Sequence, residues 1–439
     1  LTDLNLMVEL LYAPEHRHGG AGRLTPKERE RAFGVVNTPA WVVEFMVGLA
    51  EPGRERSRIL EPACADAPFL QAFARRYGVH HDLIGVEIGN EALRYAHHAL
   101  PTAILIEADF LLWDTAERFD IVLGNPPYGI IGDSSHYPIH VLKERKQLYR
   151  ARSRTWRGKY NIYGAFIERA VNLLKPDGKL VFIVPASWLV LDDFVLLRQF
   201  LAQMGGLKVF YLGRVFPKRN VSAVVLVLER GKRGLDLYDG TDRRAVCKAD
   251  YHGEPIRFEA PEWIEMEQRG VPLGEVFHIH FAARSTQIRR HPDVRREPEA
   301  GLVPVLTGRN LKAGWIDYDT CYSGYWMPRE RASELRPFYA IPHLVVAHTK
   351  GTRVVAAVDE RCHPWREEFH LVPKVDGVDI GQVCDYLNSE RVQRYVACLY
   401  RDFVPHLTAT MLERVPLTPN LIDQRAWRYA TRTSHTSAT

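Results

Sequence analysis

The sequence predicts an α/β protein with a doubly wound, mostly parallel sheet, followed by a second, mixed and β-rich domain. Three observations carry this. Apolar runs of strand length alternate with helical patterns through the first half. Those runs are apolar on both faces, the pattern of strands covered by helices on both sides. After about residue 230 the pattern gives way to shorter strands, many prolines and scattered arginine, histidine and aromatic residues.

Taken in order, Arg58-Ile59-Leu60 reads as a strand entering a loop at Glu61-Pro62-Ala63-Cys64. Strands follow at Leu83 to Ile88, Ala103 to Ile106 and Asp120 to Leu123, then at Lys179 to Val184 and Val221 to Leu228. Between them, Trp41 to Leu49 and Ala165 to Leu174 carry apolar residues at helical spacing. In such sheets ligands bind outside the carboxyl ends of the strands. Glu61, Glu87, Asp109 and Asn125 each stand at or just past the end of a successive strand, and this series reads as a binding edge.

The length of 439 residues exceeds one ordinary hydrophobic core and predicts two domains. A 46% hydrophobic and 25% charged composition is that of a folded, soluble protein. Apolar runs stop short of the ~20 residues a membrane helix needs, and the N-terminus lacks a basic-then-apolar signal pattern, so a cytoplasmic location is expected. The six cysteines show neither CxxC pairing nor histidine spacing, which argues against a zinc site or a disulfide framework. They are expected to be reduced and mostly buried, with no metal in the protein.

The net charge of +5 is mild, but its distribution is uneven. Lys143, Arg145, Lys146, Arg150, Arg152, Arg154, Arg157 and Lys159 face a single acid, Glu144, with Tyr149, Trp156 and Tyr160 among them. A solvated helix face would account for such a run. Its place just after 124-GNPPYGI-130 favours a phosphate-contacting segment instead.

That earlier stretch is the most informative. An apolar strand runs into Asn125-Pro126-Pro127-Tyr128, where two prolines lack backbone donors and restrict φ, so Asn125 is presented stiffly at a strand end. Strand-end carboxylates suit a nucleoside-containing ligand, one acid gripping a ribose diol and another receiving an adenine amine. A Gly-x-Gly-x-x-Gly fingerprint is missing, which argues against a dinucleotide.

In this order the residues resemble the amino-methyltransferases that use S-adenosylmethionine, and more narrowly the TaqI-like DNA adenine-N6 methyltransferases. The likeness runs through 38-TPAWVVEFMVGLAE-51, 60-LEPACADAPFL-70, 85-GVEI-88, 108-ADFLLW-113, 124-GNPPYGI-130, 156-WRGKYNIYGAF-166, 185-PASWLVL-191 and 213-GRVFPKRNVSAVV-225. It continues in 279-IHFAARS-285, 303-VPVLTGRNLK-312, 342-PHLVVAHTKGTRVVAA-357 and 401-RDFVPHLT-408.

The resemblance implies a Rossmann-like methyltransferase domain over 26–255, after an extension at 1–25. A target recognition domain over 256–418 and a flexible tail at 419–439 would follow. It implies that Thr38 helps hold the methionine end of the cofactor, above a loop containing Glu61 and Ala63. Glu87 would bind the ribose hydroxyls, Asp109 would accept from the cofactor adenine, and Phe110 would pack on that ring, with Ile88, Asn125 and Pro127 completing the cofactor set. Asn125, Pro126 and Tyr128 match the catalytic tetrapeptide, and Tyr128 and Phe216 the aromatics that stack on a flipped target base.

One departure stands out: Ala67 occupies the usual glycine position of the first-strand loop. If that position needs positive φ, alanine costs on the order of 1 kcal/mol. A catalytically weak DNA-binding relative is therefore one alternative. Asn-Pro-Pro-Tyr also serves methyltransferases acting on RNA bases or protein glutamine; these place a small domain before the catalytic one, whereas here the extra sequence follows it.

For the second domain, double-stranded DNA is the implied partner, with TCGA as the implied target. Arg284, Arg309, Lys350 and Arg353 are candidate DNA contacts there, alongside Lys143, Arg154 and Lys159 of the catalytic domain. A monomer is expected, as the modification component of a restriction-modification system whose endonuclease acts separately.

Overall fold

The computed structural model describes residues 37–53, 55–132, 142–217 and 221–422. The expected extension at 1–25 and positions 423–439 of the expected tail lie outside these. The chain divides into two compact units between Arg257 and Phe258.

The first unit is built on a nine-stranded sheet. Its strands are β1 (Arg58–Pro62), β2 (Asp82–Glu87), β3 (Ile104–Glu107), β4 (Phe119–Gly124), β5 (Leu174–Pro185), β6 (Gly205–Gly213), β7 (Ala223–Arg230), β8 (Leu235–Asp239) and β9 (Arg243–Lys248). The spatial order is β3-β2-β1-β4-β5-β7-β6-β8-β9. The first five are mutually parallel, and β7 runs antiparallel to both β5 and β6. Central strands bury nearly every side chain, as the two-sided apolar runs predict.

Helices Ala40–Ala50 and Pro68–Tyr77 pack on each other, and helices Ile162–Asn172 and Val195–Met204 do likewise. β1 has β2 on one side and β4 on the other, so the winding reverses between β1 and β4. A crevice opens at such a switch point, beyond the carboxyl ends of the strands.

The change of sequence character near 231–234 marks a turn within this sheet. Gly231 and Gly234 adopt φ of 79° and 88° and deliver the chain to β8 beside β6. The cysteines depart from expectation: only Cys64 and Cys384 are buried. Cys247 is exposed on the terminal strand β9, and Cys398 on the outer side of helix Glu390–Tyr400.

The second unit contains a four-stranded antiparallel sheet formed by Phe277–Phe281, Phe369–Pro373, His343–Val346 and Ala356–Asp359 in that spatial order. Its core includes Val305, Leu306, Met327, Val345 and Trp365. No described helix is long and apolar enough to cross a membrane.

Candidate functional site

At the switch point lies a cavity of about 290 Å³, near the lower end of the roughly 300–1,000 Å³ typical of small-ligand sites. Thr38, Glu61, Ala63, Glu87, Ile88, Asp109, Phe110, Asn125 and Pro127 all line it. Pro126, Tyr128 and Phe216 are buried outside the lining.

The loop from β1 to helix Pro68–Tyr77 forms one wall. Glu61 is buried and accepts from the amides of Phe69 (3.4 Å) and Leu70 (2.9 Å) at the start of that helix. Burial raises its carboxyl well above the ordinary value, partly offset by those two amides. Ala63, Ala65 and Ala67 all adopt left-handed conformations, with φ of 53°, 48° and 58°. The loop's amides are used within the protein: Ala65 N–H donates to Glu87 Oε2 at 3.0 Å and Ala67 N–H to Cys64 O at 2.7 Å. Gly85 permits the loop's close passage, because a Cβ there would stand 2.9 Å from Cys64 Sγ.

Glu87 ends β2. Its Oε1 accepts from the amides of Ile88 (2.8 Å) and Gly89 (3.0 Å). Three of about four acceptor positions on this carboxylate are thus taken by the backbone. A two-handed grip on a diol requires Oε1 to exchange its backbone partners. Burial raises this carboxyl also.

Asp109 follows β3. Its Oδ1 accepts from the Leu111 amide at 3.1 Å. Its Oδ2 accepts from Arg145 Nη1 at 2.7 Å and from the Tyr149 hydroxyl at 2.6 Å. Arg145 and Tyr149 lie in the basic run, where composition alone points outward to phosphate; the signal for their inward role is their spacing of four, which puts them on one face of a helix. Phe110 is buried against Phe166, ring centroids 5.1 Å apart, giving this end of the cavity aromatic walls.

Asn125 follows β4, and its Nδ2 donates to Thr38 Oγ1 at 2.9 Å. The loop beyond is clamped by Gly129 N–H donating to Asn161 Oδ1 at 2.8 Å and by the Tyr128 hydroxyl donating to Ile183 O at 3.0 Å. Tyr128 and Phe216 are together but not parallel: their centroids are 5.9 Å apart at 70°, edge to face.

Both units carry features of one enzyme family. Residues 86–211 match the Eco57I restriction-modification methylase model and residues 303–417 the TaqI-like C-terminal specificity domain. A type II methyltransferase of Thermus thermophilus is 58% identical over 90% of this chain and 92% of that relative. The chain belongs to the TaqI-like restriction-modification DNA methyltransferases. Modification methylase CviBIII of Paramecium bursaria Chlorella virus NC1A is 29% identical over 37% of this chain and 40% of its own. Among solved structures, the DrdV–DNA complex shares the fold at a TM-score of 0.52 and 12% identity, covering 80% of this chain and 50% of that one.

Membership of the TaqI-like methyltransferases decides for DNA over RNA or protein glutamine as the class of substrate. Of the candidate DNA contacts, Lys143, Arg154, Lys159, Arg284, Arg309 and Arg353 are exposed. Arg309 stacks over Tyr322, its guanidinium 5.9 Å from the ring centroid. Lys350 differs from expectation: it is half-buried and its ammonium donates to Leu311 O at 2.6 Å. Burial, with Lys312 and Arg353 nearby, lowers its pKa. Part of the basic run is likewise committed to backbone carbonyls, the half-buried Lys146 Nζ on Ile131 O and the exposed Arg152 Nη1 on Leu112 O, both at 2.8 Å.

Proposed function

We propose that this chain methylates the N6 amine of an adenine flipped out of duplex DNA, using S-adenosylmethionine and acting within TCGA. The observation that carries this reading is the Asn125 amide, held at the edge of a cavity lined by Thr38, Glu61, Glu87 and Asp109. The lining suits the cofactor: the Thr38 hydroxyl at one end, the Glu87 carboxylate at the middle, and the Asp109 carboxylate beside the Phe110 wall at the other. When bound, the cofactor supplies a methyl group on a positively charged sulfur.

The chain's own task is to make a poor nucleophile competent. The lone pair of an adenine amine is delocalised into its ring. With Nδ2 committed to Thr38, Asn125 offers Oδ1 to one amino hydrogen, and the Pro126 carbonyl takes the other. Two acceptors on adjoining residues draw the nitrogen toward tetrahedral geometry, so that its lone pair points into the cavity. This is positioning with electrostatic stabilisation, and the prolines keep the acceptors from relaxing. Tyr128 and Phe216 supply stacking surfaces for the extruded base.

The test is transfer of labelled methyl to duplexes with intact or scrambled TCGA, with the product identified as N6-methyladenine. Label in the TCGA duplex alone is expected. Label in both duplexes would overturn the inherited target but not the chemistry; label in neither, with the protein folded, would overturn the reading. Asn125→Ala is expected to lose transfer while still binding DNA.

A further inference from the structure

Asp109 is held more elaborately than an acceptor at a cavity edge requires. Among the described residues its Oδ2 receives two donors, the nearly buried Arg145 guanidinium and the buried Tyr149 hydroxyl, while Oδ1 receives one, the Leu111 amide. A carboxylate oxygen accepts about two hydrogen bonds, so Oδ2 is filled and the remaining acceptor position belongs to Oδ1. Charge-assisted bonds from a planar guanidinium also restrain rotation of the carboxylate.

The segment carrying these donors is stitched to the turn after β3. Besides the two bonds to Asp109, Arg152 Nη1 donates to Leu112 O at 2.8 Å, and the turn itself is closed by Trp113 N–H on Asp109 O at 2.7 Å. Leu142 and Tyr149 of the same segment line the cavity together with Asp109. Burial and the adjacent Asp109 charge raise the Tyr149 phenol, which stays protonated and remains a donor.

We propose that Arg145 and Tyr149 are positioning residues that orient Asp109 toward the amino group of the cofactor's adenine, making part of the basic run a component of the cofactor site. This rests on the reading of Asp109 as the adenine acceptor. A structural ion pair would hold the segment in place without caring which purine occupies the cavity. A positioning pair makes its effect depend on the amine.

The experiment compares binding of S-adenosylhomocysteine and of its N6-deaminated counterpart, S-inosylhomocysteine, by calorimetry. The proteins are the unsubstituted full chain, Arg145→Met, Tyr149→Phe and Arg145→Lys. The unsubstituted protein should prefer the amine-bearing ligand by about tenfold, the scale of one charge-assisted hydrogen bond. Arg145→Met and Tyr149→Phe should each remove most of that preference by weakening the amine-bearing ligand alone. Arg145→Lys, which keeps the charge, should retain part of it. Equal weakening of both ligands, or no change in preference, would overturn the proposal and leave the Asp109 assignment standing. An unsubstituted protein that binds both ligands equally would overturn the Asp109 assignment, and the proposal with it.

Discussion

Asn125 reaches back 87 positions to donate its amide hydrogen to Thr38, Nδ2 to Oγ1 at 2.9 Å. The bond joins the loop after β4 to the residue two before helix Ala40–Ala50, and it holds the planar amide in place with Nδ2 as the donor. An amide that turned over would present NH2 where the proposed chemistry calls for an acceptor.

Thr38→Val removes the hydroxyl at nearly constant shape. Loss of one neutral hydrogen bond of about 0.5–1.5 kcal/mol that orders the reacting geometry predicts a fall of roughly tenfold in the single-turnover methylation rate. Asn125→Ala should fall much further. A Thr38→Val protein with an unchanged rate at saturating cofactor would show that the amide is oriented by other means.

The alanine loop makes a second prediction. Ala65 holds φ at 48°, a region that disfavours any residue with a Cβ by roughly 1–2 kcal/mol, and it is only half-buried. Ala65→Gly relieves that strain but adds freedom to the unfolded chain, so a net gain of about 0.5 kcal/mol is expected in urea unfolding. Ala65→Val should lose stability. A glycine variant less stable than the parent would mean that the methyl group contributes more than the strain costs.

The strand ends were legible because a parallel sheet places successive strand termini on one edge, and the two-sided apolar runs announce such a sheet. Glu61, Glu87, Asp109 and Asn125 could therefore be grouped before any geometry was known, and all four line one cavity. The Ala67 question was legible too, since the glycine usual there implies positive φ; the φ of 58° answers it. Arg145 and Tyr149 were hidden inside a run whose composition points outward. Strands β8 and β9 were hidden because Gly231-Lys232-Arg233-Gly234 resembles a linker, although its two glycines turn the chain back into the same sheet.

In the second unit, Glu368 is fully buried, accepting from the amide of His348 and from Thr349 Oγ1. Burial pushes its carboxyl up from 4.5 to about 7. The folded state therefore holds this proton more tightly than the unfolded chain. The resulting stability is fully present below pH 4.5 and is lost as pH rises toward 7. Subtracting the unfolding free energy of Glu368→Gln from that of the parent should give a difference that falls across this window. A flat difference would place the Glu368 carboxyl at its ordinary value.

His343 and His370 face each other in the same unit, Nε2 to Nδ1 at 2.7 Å, and both are fully buried. Only one ring can donate across that contact, so the two rings cannot both be protonated. Burial lowers both pKa values. Their sign is opposite to that of Glu368: stability is complete above 6.5 and is lost as pH falls below it, because the unfolded histidines gain protons that the folded ones refuse. The ring resonances of both residues should titrate with midpoints below 6.5 in NMR spectra. Titration of either near 6.5 would contradict the packing.

The edge-to-face contact of Tyr128 with Phe216 bears on how a base would enter. Rings 5.9 Å apart at 70° leave no slot between them, because a base sandwiched between two aromatic faces holds those faces parallel and farther apart. Tyr128 is fixed by its hydroxyl on Ile183 O and by its contact with Tyr163, so Phe216 is the ring that has to move. Phe216→Ala would then leave one stacking face intact and remove the other, at a cost of about 1–3 kcal/mol in holding an extruded base. A duplex with 2-aminopurine at the target adenine reports this directly, since the probe brightens on leaving the stack and dims when an aromatic side chain covers it. The parent protein should give modest brightening, and Phe216→Ala a larger signal with weaker binding. Equal signals and equal affinities would assign Phe216 to the core that its burial alone suggests.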